Sequence, residues 1–179
     1  MALDLLDKSV LAELLPLGES ERRAGLLIPD IAAAYQSSIT LQLDAVDRMM
    51  DLVAVDARWK ADIYWESVRN PLEGDDGFCR IATRVTYRNG YVSMQWLRNR
   101  YVKQPDNKPS KVYSTYIRKG SSSAYSMRDF KNEPGWVRDL VEATEAEYVV
   151  LRERATKLST LRRTLRAMQK ELTEQWGEV

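Results

Sequence analysis

CRIATRVTYRNGYVSMQWLRNRYV, residues 79–102, decides the fold. Before and after Asn89-Gly90 the residues alternate with a period of two and are rich in β-branched and aromatic side chains, the pattern of strands. Asn-Gly supplies the two positive φ angles of a type I′ turn, so the stretch reads as a tight antiparallel hairpin. A two-residue turn places Ile81 opposite Arg98, Thr83 opposite Trp96, Val85 opposite Met94 and Tyr87 opposite Val92, a largely apolar face. The other face carries Arg80, Ala82, Arg84, Thr86 and Arg88 on one strand, with Tyr91, Ser93, Gln95, Leu97 and Asn99 on its partner. That second face is polar and cationic. A slip of one residue would exchange the two, so the turn determines which side chains meet solvent.

Outward from the hairpin, KQPDNKPS (103–110) reads as a polar loop and KVYSTYIRK (111–119) as a third strand, making a basic antiparallel sheet module over 78–120. GSSSAYS (120–126) reads as a flexible loop. Upstream, after Pro29, no Gly or Pro occurs as far as Arg69, and Ile31, Tyr35, Ile39, Leu43, Val46, Met50, Val53 and Ala57 recur at steps of three and four. This spacing predicts a long helix within 26–70, closed by NPLEGDDG (70–77). Downstream, with Asn132 as N-cap, a second long helix is expected over 133–176. Val137, Val141, Tyr148, Leu151, Ala155, Leu158, Leu161, Leu165, Met168 and Leu172 line one side of it.

Its acids come early and its bases late, as the helix dipole favours. Residues 3–15 read as a short apolar-rich helix, and PLGESERRAG (16–25) as a linker. The expected architecture is α+β and packed as one domain. A long, coiled-coil-like antiparallel helical hairpin carries a three-stranded antiparallel sheet between its helices, preceded by the short N-terminal helix.

Charge is distributed unevenly over this plan. Arg80 to Lys119 holds ten Lys and Arg residues against one acid, Asp106, a net +9 in a chain whose total is +1. Residues 1–79 carry seven bases and fifteen acids, and residues 120–179 carry ten of each. A cationic module in an acidic-to-neutral helical protein is the electrostatic footprint of phosphate binding.

The chain contains no histidine and a single cysteine, Cys79. Catalytic triads built on His, His-ligated metal centres and the usual Cys and His zinc sites are therefore excluded. Neither a catalytic residue nor a cofactor is expected. The first fifteen residues lack the basic region and cleavage site of a signal peptide, and no apolar run reaches the ~18 residues of a membrane span. The expectation is a cytoplasmic protein without membrane association. Cys79 reads as a structural thiol.

On strands, Arg can fork onto guanine, and Gln or Asn can pair with adenine in the major groove. Arg84, Arg88, Gln95 and Asn99 are accordingly the base-reading candidates. Arg98, Arg100, Lys103, Lys108, Lys111, Arg118 and Lys119 suit phosphates, which position a protein without specifying sequence. Arg152, Arg162, Arg163 and Arg166 form a second basic stretch that would extend the phosphate track or simply complete a solvated helix face. Tyr91, Trp96, Tyr101, Tyr113 and Tyr116 interleave the bases; they would stack on nucleobases or fill the core. Asp44, Asp47 and Asp51, followed by Asp56, Asp62 and Glu66, have steps that could hold a divalent cation for a nuclease. Ordinary helix ion pairs such as Asp44 with Arg48 and Asp56 with Lys60 account for them better, and no metal is expected.

WLRNRYV (96–102), KVYSTYIRKG (111–120), YSMRDF (125–130), the helix start at Trp136 and LRERATKLSTLRRTLR (151–166) together resemble the MobI family. These are auxiliary transfer-initiation proteins of integrative conjugative elements and related plasmids. The resemblance implies a non-enzymatic protein that recognises the origin of transfer on double-stranded DNA and assists a relaxase there. A pseudo-palindromic site would make a homodimer natural. A helical adaptor for an acidic protein partner is the competing class, and a metal-dependent nuclease a second.

Overall fold

A computed structural model describes Asp7–Ser9, Ala12 and residues 28–105 and 110–176. The expected N-terminal helix and linker lie largely outside the described residues, and Lys108 lies outside them. The fold is α+β. Two helices, α1 (Ile28–Arg69) and α2 (Gly135–Trp176), flank in sequence a three-stranded antiparallel sheet of β1 (Ile81–Arg88), β2 (Tyr91–Val102) and β3 (Lys111–Tyr116), with a 3₁₀ turn at Met127–Phe130. Among the described residues, no helix is long and apolar enough to cross a membrane.

Strand order is β1-β2-β3, and the register is the one a two-residue turn dictates: Ile81 faces Arg98, Thr83 faces Trp96 and Tyr87 faces Val92. Asn89 (φ 53°) and Gly90 (φ 73°) are both left-handed, as type I′ requires. β3 continues the meander, with Leu97 opposite Tyr116 and Tyr101 opposite Val112. It ends three residues earlier than expected.

α2 begins at Gly135, two residues later than expected. Pro134 disfavours helical backbone at Glu133, while its own carbonyl accepts a bond from the Arg138 N–H at 3.1 Å and so opens the helix. Pro134 also sets the approach of the preceding loop. Gly77 has φ +95°, and a Cβ there would lie 2.8 Å from the Pro134 ring.

The chain divides into two compact units. In the larger, residues 49–158, the apolar sheet face packs against the second part of α1 and the first part of α2. Trp96 is wholly buried there, with ring centres of Tyr64, Tyr148 and Phe130 at 5.1, 5.7 and 5.9 Å. The Tyr64 hydroxyl donates to the Ile81 carbonyl at 3.0 Å, joining α1 to β1, and the hydroxyls of Thr83 and Tyr148 lie 3.0 Å apart, joining β1 to α2. Burial pushes the Tyr148 phenol up to about 12. Lys60 bonds to Glu147 on α2 at 3.1 Å, a partner far away in sequence in place of the local Asp56 that its spacing suggests.

Cys79 sits at the edge of this core, with Sγ 3.3 Å from the Ile81 carbonyl. Burial pushes its thiol up, and the thiolate is the reactive form. The folded protein should therefore resist alkylation by a thiol reagent at neutral pH and react promptly once denatured. Equal labelling rates in both states would contradict the buried position.

In the smaller unit, the described residues 28–48 and 159–176 contribute one helical segment each. Asp47 meets Arg162 at 2.5 Å and the Tyr35 and Trp176 rings meet, tilted, with centres 5.8 Å apart, so the segments run antiparallel. Here the expected apolar line on α2 is displaced. Leu161 and Met168 are 44% exposed, whereas Leu165 and Arg162 are 4% exposed. At 3.6 residues per turn the buried stripe passes through 158, 162 and 165, so Arg162 occupies the inner position with Asp47 as counter-ion. Tyr35 also leaves the expected buried line and is 53% exposed.

Candidate nucleic-acid interface

Alternation along each strand sorts the basic side chains between two faces. On the face away from the core stand Arg80, Arg84 and Arg88 of β1 and the segment before it, Gln95, Asn99 and Tyr101 of β2, and Val112, Ser114 and Tyr116 of β3. All four base-reading candidates therefore share one surface. Arg84 and Arg88 are exposed, and Gln95 and Asn99 are half-buried.

Two cross-strand contacts organise this surface. Arg84 Nη1 donates to the Tyr116 hydroxyl at 2.9 Å, with its guanidinium 5.8 Å from the Tyr116 ring centre. Because β2 separates β1 from β3, that contact spans the middle strand. Leu97, expected to be open, lies on the same face at 3% exposure, and its cross-strand neighbour Ala82 is at 7%. The face is thus closed over Leu97 and Ala82, half-buried at Gln95 and Asn99, and exposed at Arg84 and Arg88. Ser114 Oγ donates to Asn99 Oδ1 at 2.7 Å, using one of that oxygen's two acceptor sites.

The phosphate candidates are not gathered on one surface. Arg98, Arg100 and Lys111 have the opposite parity and lie on the core side of the sheet, past the end of the core. Arg98 is committed within the protein: Nη2 donates to the Asp129 carbonyl, and Nε lies 3.6 Å from Glu133. Lys111 Nζ sits 5.1 Å from the Tyr113 ring centre. Lys119 donates to the carbonyls of Gly120 and Ser122, closing its own loop. Lys103 and Arg118 are exposed at strand ends.

The second basic stretch divides likewise. Arg163 and Arg166 are exposed, Arg162 is turned to Asp47, and Arg152 is drawn into the larger unit. Arg152 Nη1 and Nη2 donate to Glu145 at 2.8 and 3.1 Å, and also to the carbonyls of Ser123 and Met94. Glu145 in turn accepts from Trp96 Nε1 at 2.8 Å and from the Tyr125 N–H at 2.7 Å. This buried clamp fixes the sheet and the 123–125 loop to α2. Its members are scattered in sequence, so spacing alone does not reveal it.

Two of the candidate carboxylates on α1, Asp47 and Asp51, are engaged in structural contacts. Asp47 meets Arg162, and Asp51 accepts from the Tyr87 hydroxyl at 2.5 Å. Among the described residues, no group of three or more Asp, Glu or Cys side chains is placed to hold a metal ion.

The sequence model of the MobI family, described as MobI protein, matches residues 53–166, well over half of the chain. The chain belongs to the MobI family. No curated protein and no solved structure matches it. The MobI span takes in the second part of α1, the whole sheet and most of α2, so the likeness seen from residue 96 onward extends upstream across the hairpin. Membership carries a role in mobilisation.

One element of the MobI sheet face was missed from sequence. Phe78 is 61% exposed and meets the Tyr101 ring edge-to-face at 5.1 Å. Extending the hairpin pairing two further steps past Arg80 and Asn99 would have placed it opposite Tyr101.

Proposed function

We propose that this chain is a non-enzymatic DNA-binding auxiliary factor that recognises the origin of transfer on double-stranded DNA and assists relaxase-dependent initiation of conjugative transfer. The observation that carries the reading is the outer sheet face, where Arg80, Arg84, Arg88, Gln95 and Asn99 stand together. From Phe78 to Arg128 the sequence holds a single acid, Asp106. The bond from Arg84 to the Tyr116 hydroxyl supports assigning Arg84 to bidentate recognition of guanine, and the exposure of Lys103 and Arg118 at the strand ends supports assigning them to phosphate. Arg152 and Arg162, both turned inward, have no part in this interface.

A titration of origin duplex against unrelated duplex at several salt concentrations tests the proposal. Each neutralised phosphate contributes about −0.9 to the slope of log K against log salt. Arg84→Ala should cost ~1–3 kcal/mol on the origin and little on unrelated DNA. Lys103→Ala should weaken both alike. Equal losses on the two DNAs for Arg84→Ala would remove the base-reading role, and no preference for the origin in the parent protein would remove recognition altogether.

One observation favours a second reading, an adaptor that docks a protein through an apolar helix face instead of through the basic sheet. Leu52, Val55, Trp59 and Ile63 form a row along α1 and are 68%, 62%, 65% and 46% exposed. A relaxase or a second copy of the chain would have an apolar surface to meet there, leaving the sheet free for DNA. If the adaptor were the whole function, binding to duplex would be absent at low salt.

A further inference from the structure

Aromatic rings on the outer sheet face are left unexplained by duplex recognition. Tyr101 is 45% exposed, Tyr116 49% and Phe78 61%, and all three stand on the face that carries Arg80, Arg84 and Arg88. Large apolar side chains gathered on an exposed surface mark a contact site. A duplex offers base edges and phosphates to such a face; its base planes are already stacked on one another. Rings of this kind match the planes of unpaired bases, which is how sequence-tolerant single-strand binders use aromatic residues.

The rings are also held in place. Tyr101 is braced edge-to-face by Phe78, and the Tyr116 hydroxyl is fixed by Arg84. Fixing them before binding lowers the entropy lost on contact. Tyr116 pairs with Leu97, four residues along β2 from Tyr101. The two rings are therefore about 13 Å apart along the strand direction, so a single strand lying across the sheet would meet them with different bases. Arg80 lies beside that path, Arg84 at its Tyr116 end and Arg88 farther along the same face, supplying the positive charge its backbone requires.

We infer that the outer sheet face binds single-stranded DNA by stacking unpaired bases on Tyr101 and Tyr116, so that at an origin it holds a locally opened strand. The inference rests on the DNA-binding reading above and deepens it. Locally opened DNA gains affinity from the rings, whereas closed duplex is held through the arginines and strand-end cations.

The test uses the full chain and three fluorescent probes of one sequence: a closed duplex, the same duplex with a central unpaired bubble, and one of its single strands. Anisotropy should show the bubble bound about tenfold or more tightly than the closed duplex. Tyr101→Leu should abolish most of that gain while leaving closed-duplex affinity within about twofold; Tyr116→Leu should also abolish most of it, with closed-duplex affinity falling as well because Arg84 loses its hydroxyl partner, and Tyr116→Phe should retain the gain. A 2-aminopurine in the bubble should be quenched by the parent protein and by Tyr116→Phe, but less by Tyr116→Leu. Matching thermal melts would show that the variants fold.

Equal affinity for bubble and closed duplex, with both well bound, overturns the inference and leaves the duplex reading intact. Tight binding of single strand and bubble with no binding of closed duplex supports the inference and overturns the duplex reading. Failure of all three probes to bind overturns both. A tighter grip on RNA of the same sequence would overturn the assignment to DNA.

Discussion

Glu145→Ala is expected to destabilise the protein by about 3–5 kcal/mol, read as a lower midpoint in urea unfolding. The size follows from what the substitution leaves behind. Arg152 is about nine-tenths buried, with its guanidinium 2.8 Å from Glu145, and removing the carboxylate strands a positive charge in the core. Trp96 Nε1 and the Tyr125 N–H lose their acceptor in the same change. Glu145→Gln should recover part of the loss, because an amide oxygen still accepts while the counter-charge is gone. Removing both charges with Glu145→Leu and Arg152→Leu together should cost less than Glu145→Leu alone, since an apolar pair leaves no buried ion. A loss under about 1 kcal/mol for Glu145→Ala would show that the clamp is solvated and structurally minor.

Trp96→Ala is expected to cost a similar amount, about 3–5 kcal/mol. The indole is fully buried among Tyr64, Phe130 and Tyr148, rings contributed by α1, the 3₁₀ turn and α2. Those elements are drawn toward β2 by one side chain, so the cavity cannot collapse without moving several of them. Trp96→Phe should cost less, keeping most of the apolar contact but leaving Glu145 short of one donor. Intrinsic fluorescence supplies a second readout, since Trp96 is the tryptophan shielded most completely from water. A wild-type urea midpoint for Trp96→Ala would show that this cluster is not the core of the larger unit.

The sheet was legible in the sequence because Asn89-Gly90 specifies both a turn type and a strand register, and from that register the faces follow. The two long helices were legible because apolar residues recur at steps of three and four. Details set by contacts distant in sequence were not. Arg162 takes an inner position because Asp47 is there to neutralise it, and a hydropathy pattern assigns that position to Leu161. Lys60 turns to Glu147 for a comparable reason. For the interface, grouping Arg84, Arg88, Gln95 and Asn99 required only alternation. The phosphate candidates were grouped by charge, without regard to parity, which separates Arg98, Arg100 and Lys111 from them. Phe78 and the Glu145 clamp needed the folded positions of loop and helix.

The turn at Asn89-Gly90 also constrains how such a sequence can change over generations. Odd-numbered positions of β1 answer to the core and, Ala82 apart, even-numbered ones to whatever the outer face touches, so the two sets can drift under separate selection. A deletion of one residue within either strand merges those sets by sending core side chains outward and arginines inward. Changes of length are therefore confined to the loop between β2 and β3 and to the ends of the sheet, while substitutions at alternate positions can retune what the outer face recognises without disturbing the fold.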